Sequence, residues 1–180
     1  MPGLLHLLQK LKRTDDDYKL LILGLDNAGK TTLMKCLSED ATTVAPTQGF
    51  NVSQLRHGQY TLNCWDIGGQ KPSRAYWPNY FDKTDGLVYV VDSADKARIE
   101  ETSIELSHII AESTLNNVPL LVFANKQDLL QALEADDIMD ALDLTRIRVR
   151  PWRIQPCDAR TGAGLREGLE WLVAEINAVE

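Results

Sequence analysis

Apolar residues along this chain follow two rhythms. Residues 19–24 (Lys-Leu-Leu-Ile-Leu-Gly) form an unbroken apolar run closed by glycine, as expected of a strand buried on both faces of a parallel sheet. Residues 85–92, containing Gly-Leu-Val-Tyr-Val-Val, and 118–124 repeat that pattern, and 152–157 reads as a last strand. Segments 50–56 and 60–66 alternate instead, around His57-Gly58-Gln59, which predicts a hairpin. Helical spacing begins at Lys30, with Leu33 and Leu37 one turn apart. It returns over 99–112, over the acidic stretch 136–142, and over 164–179, where Leu165, Leu169, Leu172 and Ile176 share a stripe. Strands alternating with helices predict right-handed crossovers. The expected fold is doubly wound α/β: a mostly parallel six-stranded sheet with one antiparallel edge strand. On such sheets ligands bind beyond the carboxyl ends of the strands.

Residues 1–16 stand apart from the domain expected over 17–180. At about 100° per residue, Leu4, Leu5, Leu7, Leu8 and Leu11 fall within an arc of about 160°, an apolar stripe. Periodicity leaves two uses open: a membrane-surface helix, or a helix packed on its own domain. No apolar stretch is long enough to span a bilayer, and the leucine segment is too short and interrupted for a signal peptide, so a cytoplasmic protein is expected. A net charge of −7 argues against nucleic acid, whose phosphates call for a basic face. Cys36, Cys64 and Cys157 lack C-x-x-C spacing, and with His6, His57 and His108 they make no zinc pattern, so free thiols are expected.

The chemistry lies at the predicted strand ends. Gly24-Leu25-Asp26-Asn27-Ala28-Gly29-Lys30-Thr31 matches G-x-x-x-x-G-K-[ST] between a strand and a helix. Its glycines let several backbone N–H groups turn toward phosphate, and the helix N-terminus adds partial positive charge. Candidate nucleotide contacts run from Gly24 to Thr32, with Lys30 bridging the outer phosphates and the Thr31 hydroxyl on magnesium. Asp66, at a strand end in Trp65-Asp66-Ile67-Gly68-Gly69-Gln70, is the candidate to hold magnesium through water. Gly69 would bring an N–H to the γ-phosphate, and Gln70 would orient a hydrolytic water.

Asn125-Lys126-Gln127-Asp128 supplies N-K-x-D after another strand. Guanine offers an N1 proton and an N2 amine side by side, and one carboxylate, Asp128, accepts both. Adenine would leave it unpaired, a mismatch that gives large discrimination. Lys126 would lay its stem along the base, and Asn125 would tie this loop to the phosphate loop. A P-loop kinase or ATPase would lack this motif. A nucleotide-holding pseudo-GTPase scaffold would be expected to lack Gln70 or Thr47, and both are present.

With these motifs the chain resembles the ADP-ribosylation-factor-like (Arf-like) small GTPases over essentially its full length. The resemblance also rests on Pro46-Thr47-Gln48-Gly49-Phe50-Asn51, on Tyr76-Trp77-x-Asn79-Tyr80-Phe81, and on Val91-Asp92-Ser93-Ala94-Asp95. Gln48 after Pro-Thr, with Phe123 through Leu129, most resembles the third Arf-like subgroup. The second, which acts in tubulin folding and microtubule regulation, is its neighbour. The resemblance implies a GTP/GDP switch using Mg²⁺, with Thr47 closing on the metal and joining Gln70 and Lys30 in catalysis. It implies an interswitch hairpin that shifts register and expels the N-terminal helix. It also implies effectors at Phe50, Trp65 and Tyr80, among them β-sandwich carriers that release lipidated cargo in ciliary and membrane trafficking. An exchange factor, a GTPase-activating protein, and a monomer that is cytoplasmic, ciliary and peripherally membrane-associated are further expectations. No arginine in the sequence is evidently a finger in cis, so slow turnover aided by the activating protein is expected. Two departures stand out. Asp158 replaces the usual Ser or Cys before Ala159 and Arg160 in the last guanine loop, where the Ala159 N–H is expected on guanine O6. Pro2 replaces the glycine that myristoylation needs, so membrane contact through the leucines should be weak.

Overall fold

The computed structural model describes residues 17–38, 42–44 and 50–178. The N-terminal leucine stripe, Thr47 and Gln48 lie outside them. The strands are β1 (Asp17–Leu23), β2 (Thr42–Val44), β3 (Phe50–His57), β4 (Tyr60–Ile67), β5 (Gly86–Asp92), β6 (Leu120–Asn125) and β7 (Trp152–Pro156). They form one sheet in the order β2-β3-β4-β1-β5-β6-β7. The four neighbouring pairs from β4 to β7 are parallel, while β3 runs antiparallel to both β2 and β4. All six expected strands are present. The three-residue β2 pairs with the far side of β3, giving seven strands among the described residues and placing the antiparallel strand one in from their edge. A segment so short carries no periodicity, which is why the sequence pattern did not reveal it.

Among the described residues four α-helices cover the sheet: α1 (Lys30–Leu37), α2 (Ile99–Ile110), α3 (Ala135–Ala141) and α4 (Leu165–Ala178). The unbroken apolar runs of β1, β5 and β6 serve two cores, because successive side chains point to opposite faces. Leu20, Ile22, Val88, Val90, Leu121 and Phe123 pack against α1 and α4. Leu21, Leu23, Tyr89, Val91 and Val122 pack against α2, α3 and the segment after β4. That segment, Lys71–Tyr80, is a ten-residue 3₁₀-helix that the hydrophobic pattern did not predict. Its period is three, and its inward residues are Arg74, Trp77 and the half-buried Tyr80. Only one of those is aliphatic or aromatic and fully buried, so no apolar stripe marks it.

Parallel strands begin at one edge and end at the other, so the segments following β1, β4, β5, β6 and β7 all emerge on one side. Register confirms the alignment: Ile22 lies beside Asp66, and Asp92 beside Asn125. Five loops with chemistry are thereby brought together by strand direction alone.

Candidate guanine-nucleotide site

The phosphate loop connects β1 to α1 through three residues in the left-handed region: Gly24 (φ 148°), Asn27 (φ 65°) and Gly29 (φ 101°). At Gly24 the requirement is also steric, since a Cβ there would lie 2.3 Å from the Val90 carbonyl oxygen. Alternating backbone handedness of this kind forms a concavity of N–H groups suited to an anion. The Lys30 side chain is buried, and its ammonium donates to the Gly24 and Leu25 carbonyls at 2.9 and 3.0 Å. Burial pulls its pKa down, opposed by the charges of Asp66 and Asp26. Asp66 is also buried and its pKa is pushed up by desolvation, against Lys30 and the Thr31 hydroxyl, which donates to Asp66 Oδ2 at 3.2 Å. In both, burial outweighs the counter-charge nearby. A hydroxyl and a desolvated carboxylate fit Mg²⁺, which takes oxygen donors, keeps several waters and borrows the rest from phosphate. Thr31 and Asp66 are therefore the described residues that would hold it. With Lys30 and Gly69 they line a cavity of about 360 Å³.

A second cavity of about 300 Å³ adjoins it, walled by Thr32, Asn125, Lys126, Asp128, Asp158 and Ala159 among others. Asn125, 2% exposed, donates from Nδ2 to the Ala28 carbonyl at 2.9 Å, so it does bind this loop to the phosphate loop. Its Oδ1 accepts the Ala159 N–H at 3.0 Å, the group expected to face guanine O6. Lys126 (φ 65°) reaches across to the Asn27 carbonyl at 2.8 Å and to Asp92 Oδ2 at 2.7 Å. Asp128 is exposed at the rim. Asp158 accepts the Arg160 N–H at 2.9 Å through Oδ1 and the Thr161 hydroxyl at 3.0 Å through Oδ2. Both carboxylate oxygens are thus engaged within their own loop, as a Ser cap would be, rather than aimed at a base.

The comparisons agree with this geometry. The model of the Arf: ADP-ribosylation factor family matches residues 4–176. The chain belongs to the ADP-ribosylation factor family. It is 55% identical to ADP-ribosylation factor-like protein 3 of Chlamydomonas reinhardtii over 175 residues, 97% of this chain and 99% of that protein. It is 46% identical to ADP-ribosylation factor-like protein 2 of Dictyostelium discoideum, over 97% of this chain and 95% of the other. Among solved structures it resembles the Arl6 BBS3 small GTPase of Trypanosoma brucei with bound nucleotide analogue GppNp. There the TM-score is 0.82 at 30% identity, covering 90% of this chain and 98% of that one. This Arf-family chain is a small GTPase: it binds GTP and GDP, hydrolyses GTP, and works through effectors, activating proteins and exchange factors.

Several residues of this Arf-family site were not evident from sequence. Asp92 ends β5 and anchors Lys126; its strand-end position, like that of Asp66, was the available clue. Arg98 donates from Nη1 to Asp26 Oδ1 at 2.9 Å and from Nη2 to the Asp26 carbonyl at 2.8 Å. Burial works to raise the Asp26 pKa, but the hydrogen bond and charge of Arg98, joined by Arg74, hold the carboxyl below its usual range. Trp77 and Arg74 reach back to the loop carrying Gln70, which is itself exposed. Periodicity singles out neither.

The three aromatic residues predicted for effectors do meet. Phe50 and Trp65 stack at 5.1 Å and 14°, and Tyr80 meets Phe50 edge-on at 5.1 Å. All three are half-buried, rooted in the α2-side core with part of each ring open. Lys19 Nζ sits 4.7 Å over the Trp65 ring and donates to the Tyr80 carbonyl at 2.6 Å.

Proposed function

We propose that this GTPase releases lipidated cargo from β-sandwich carriers when loaded with GTP, in ciliary and membrane trafficking. The observation that carries the reading is the half-buried Phe50–Trp65–Tyr80 cluster, which joins both strands of the interswitch hairpin to the end of the segment after Gln70. An open aromatic patch rooted in a core is a favoured hot spot. Here it stands on the segments that a γ-phosphate would reposition. The 55% identity to an ADP-ribosylation factor-like protein 3 supports this subgroup over the second, tubulin-directed one.

In the proposed mechanism Lys30 and the phosphate-loop N–H groups hold the phosphates, and Asp128 reads guanine. Mg²⁺, when bound, would neutralise the charge that develops on the phosphates. Thr31 and Asp66 would hold that ion, with Thr47 closing on the γ-phosphate side, and Ala159, freed from Asn125, would meet guanine O6. Gln70, exposed beside the phosphate cavity, orients the attacking water. The protein would be cytoplasmic, monomeric and weakly membrane-associated through its N-terminal leucines. A switch acts only through differential affinity for its two states. A fluorescent lipidated peptide held by such a carrier should therefore be released by GTP-loaded protein, not by GDP-loaded protein, and poorly by Phe50→Ala. Equal release with both nucleotides would refute the reading.

A further inference from the structure

Outside the predicted site, the Arg74 side chain makes four polar contacts among the described residues. It is buried, 7% exposed, in the middle of the 3₁₀-helix. Nε donates to the Gly69 carbonyl at 2.9 Å, Nη1 to Glu101 and Glu105 of α2 at 2.6 and 3.2 Å, and Nη2 approaches Asp26 Oδ1 at 3.4 Å. Gly69 also accepts the Asp26 N–H at 3.0 Å, and one residue earlier the Gly68 carbonyl accepts Trp77 Nε1–H at 2.9 Å. Two consecutive peptide planes are pinned this way. Trp77 holds the plane carrying the Gly69 N–H, and Arg74 holds the plane carrying the Gln70 N–H.

We infer that Arg74 is a positioning residue for GTP hydrolysis, setting the Gly69–Gln70 peptide so that Gln70 faces the attacking water, with Glu101 and Glu105 as its anchor. This rests on Gln70 being the water-orienting residue. The guanidinium suits the task because its fork is planar and rigid, so fixing Nη1 on α2 fixes the direction of Nε. Its charge has a second use. Asp26 places a carboxylate in the phosphate loop, where it would repel a γ-phosphate, and Arg74 and Arg98 draw it outward. A period of three residues puts Arg74, Trp77 and Tyr80 on one face of the 3₁₀-helix. The residues that pin the catalytic loop therefore share a rigid element with the aromatic patch.

A purely structural ion pair is the competing explanation, and the two differ in what a conservative change does. Arg74→Lys keeps a cation for Glu101 and Glu105, but a single ammonium on a flexible stem does not hold the Gly69 carbonyl as well. Single-turnover hydrolysis, followed by chromatography of bound nucleotide, should fall on the order of 10- to 100-fold. GDP affinity should stay near that of wild type, while the melting temperature falls, because a single ammonium leaves some of the Gly69, Glu101 and Glu105 contacts unmade. Glu105→Gln should give a smaller fall, and Arg74→Lys combined with it should be no slower than Arg74→Lys alone, since both act through one guanidinium. Wild-type hydrolysis in folded Arg74→Lys, or strictly multiplicative losses in the double variant, would overturn the inference. If Arg74→Lys does not fold, Glu105→Gln decides the matter by the same hydrolysis measurement: an unchanged rate overturns it. Gln70→Leu run alongside separates the two levels. If it abolishes hydrolysis while Arg74→Lys does not, only the role of Arg74 falls. If Gln70→Leu is itself without effect, the assignment of Gln70 falls and takes this inference with it.

Discussion

Asp128 and Asp158 show how one residue type is put to different uses by its surroundings. Asp128 stands at the exposed rim of the base cavity, available to a ligand with two adjacent donors. Asp158 lines the same cavity, yet Arg160 N–H and the Thr161 hydroxyl occupy its two oxygens. Asp128→Asn reverses half of the donor–acceptor pattern, so GDP affinity should drop by roughly 10²-fold or more while xanthosine diphosphate gains, as titration with labelled nucleotides would measure. The three free thiols differ for a simpler reason. Burial pushes Cys64 to about 12, and burial with the Asp158 charge pushes Cys157 to about 12, whereas Cys36 is partly exposed. Only thiolate reacts, and at pH 8 a group with that pKa is ionised on the order of one part in 10⁴. Iodoacetamide at pH 8 should therefore label Cys36 first, and mass spectrometry should find Cys64 and Cys157 modified only on unfolding.

Among the elements, the phosphate loop and the loop after β4 depend on each other at backbone contact. A Cβ on Gly69 would lie 2.3 Å from the Gly24 carbonyl oxygen and 2.5 Å from Lys30 Nζ. The Gly24 backbone has no room to give, being itself packed on β5. Gly69→Ala should weaken GDP binding, because the added Cβ presses on Gly24 and Lys30 of the loop that would hold the phosphates. It should also weaken binding of a non-hydrolysable GTP analogue by at least about tenfold, or 1.4 kcal/mol. Stopped-flow fluorescence with both nucleotides checks this, and equal affinities for them in wild type and variant would show that the close approach has no role. The 3₁₀-helix is the element whose identity mattered most and whose pattern was faintest. Runs of ten residues are uncommon for this helix type, and it persists here because Arg74 and Trp77 satisfy carbonyls of the preceding loop.

Across the molecule, two cores hold the sheet on which the five loops depend. Leu172 of α4 is fully buried and packs beside Gly86, where a Cβ would lie 3.2 Å from Leu172 Cδ2 and 2.8 Å from Leu20 Cδ2. Leu172→Ala opens a cavity far from the nucleotide. It should cost about 2–5 kcal/mol by denaturant titration without altering guanine specificity. The six longer strands, the α-helices, the doubly wound class and the nucleotide motifs were legible along the chain, because they rest on local patterns. Apolar runs, helical stripes and glycines at strand ends each encode their own segment. The contacts that join Arg74 to Gly69 and Glu101, Lys126 to Asp92, and Asp158 to Thr161 were not, and neither was the short β2. Hydrogen bonds between side chains and distant carbonyls leave no period in a sequence. They exist only because parallel strands deliver separate loops to one edge of the sheet. Which charges are desolvated, which carboxylates are occupied and which aromatic rings remain half open follow from that convergence.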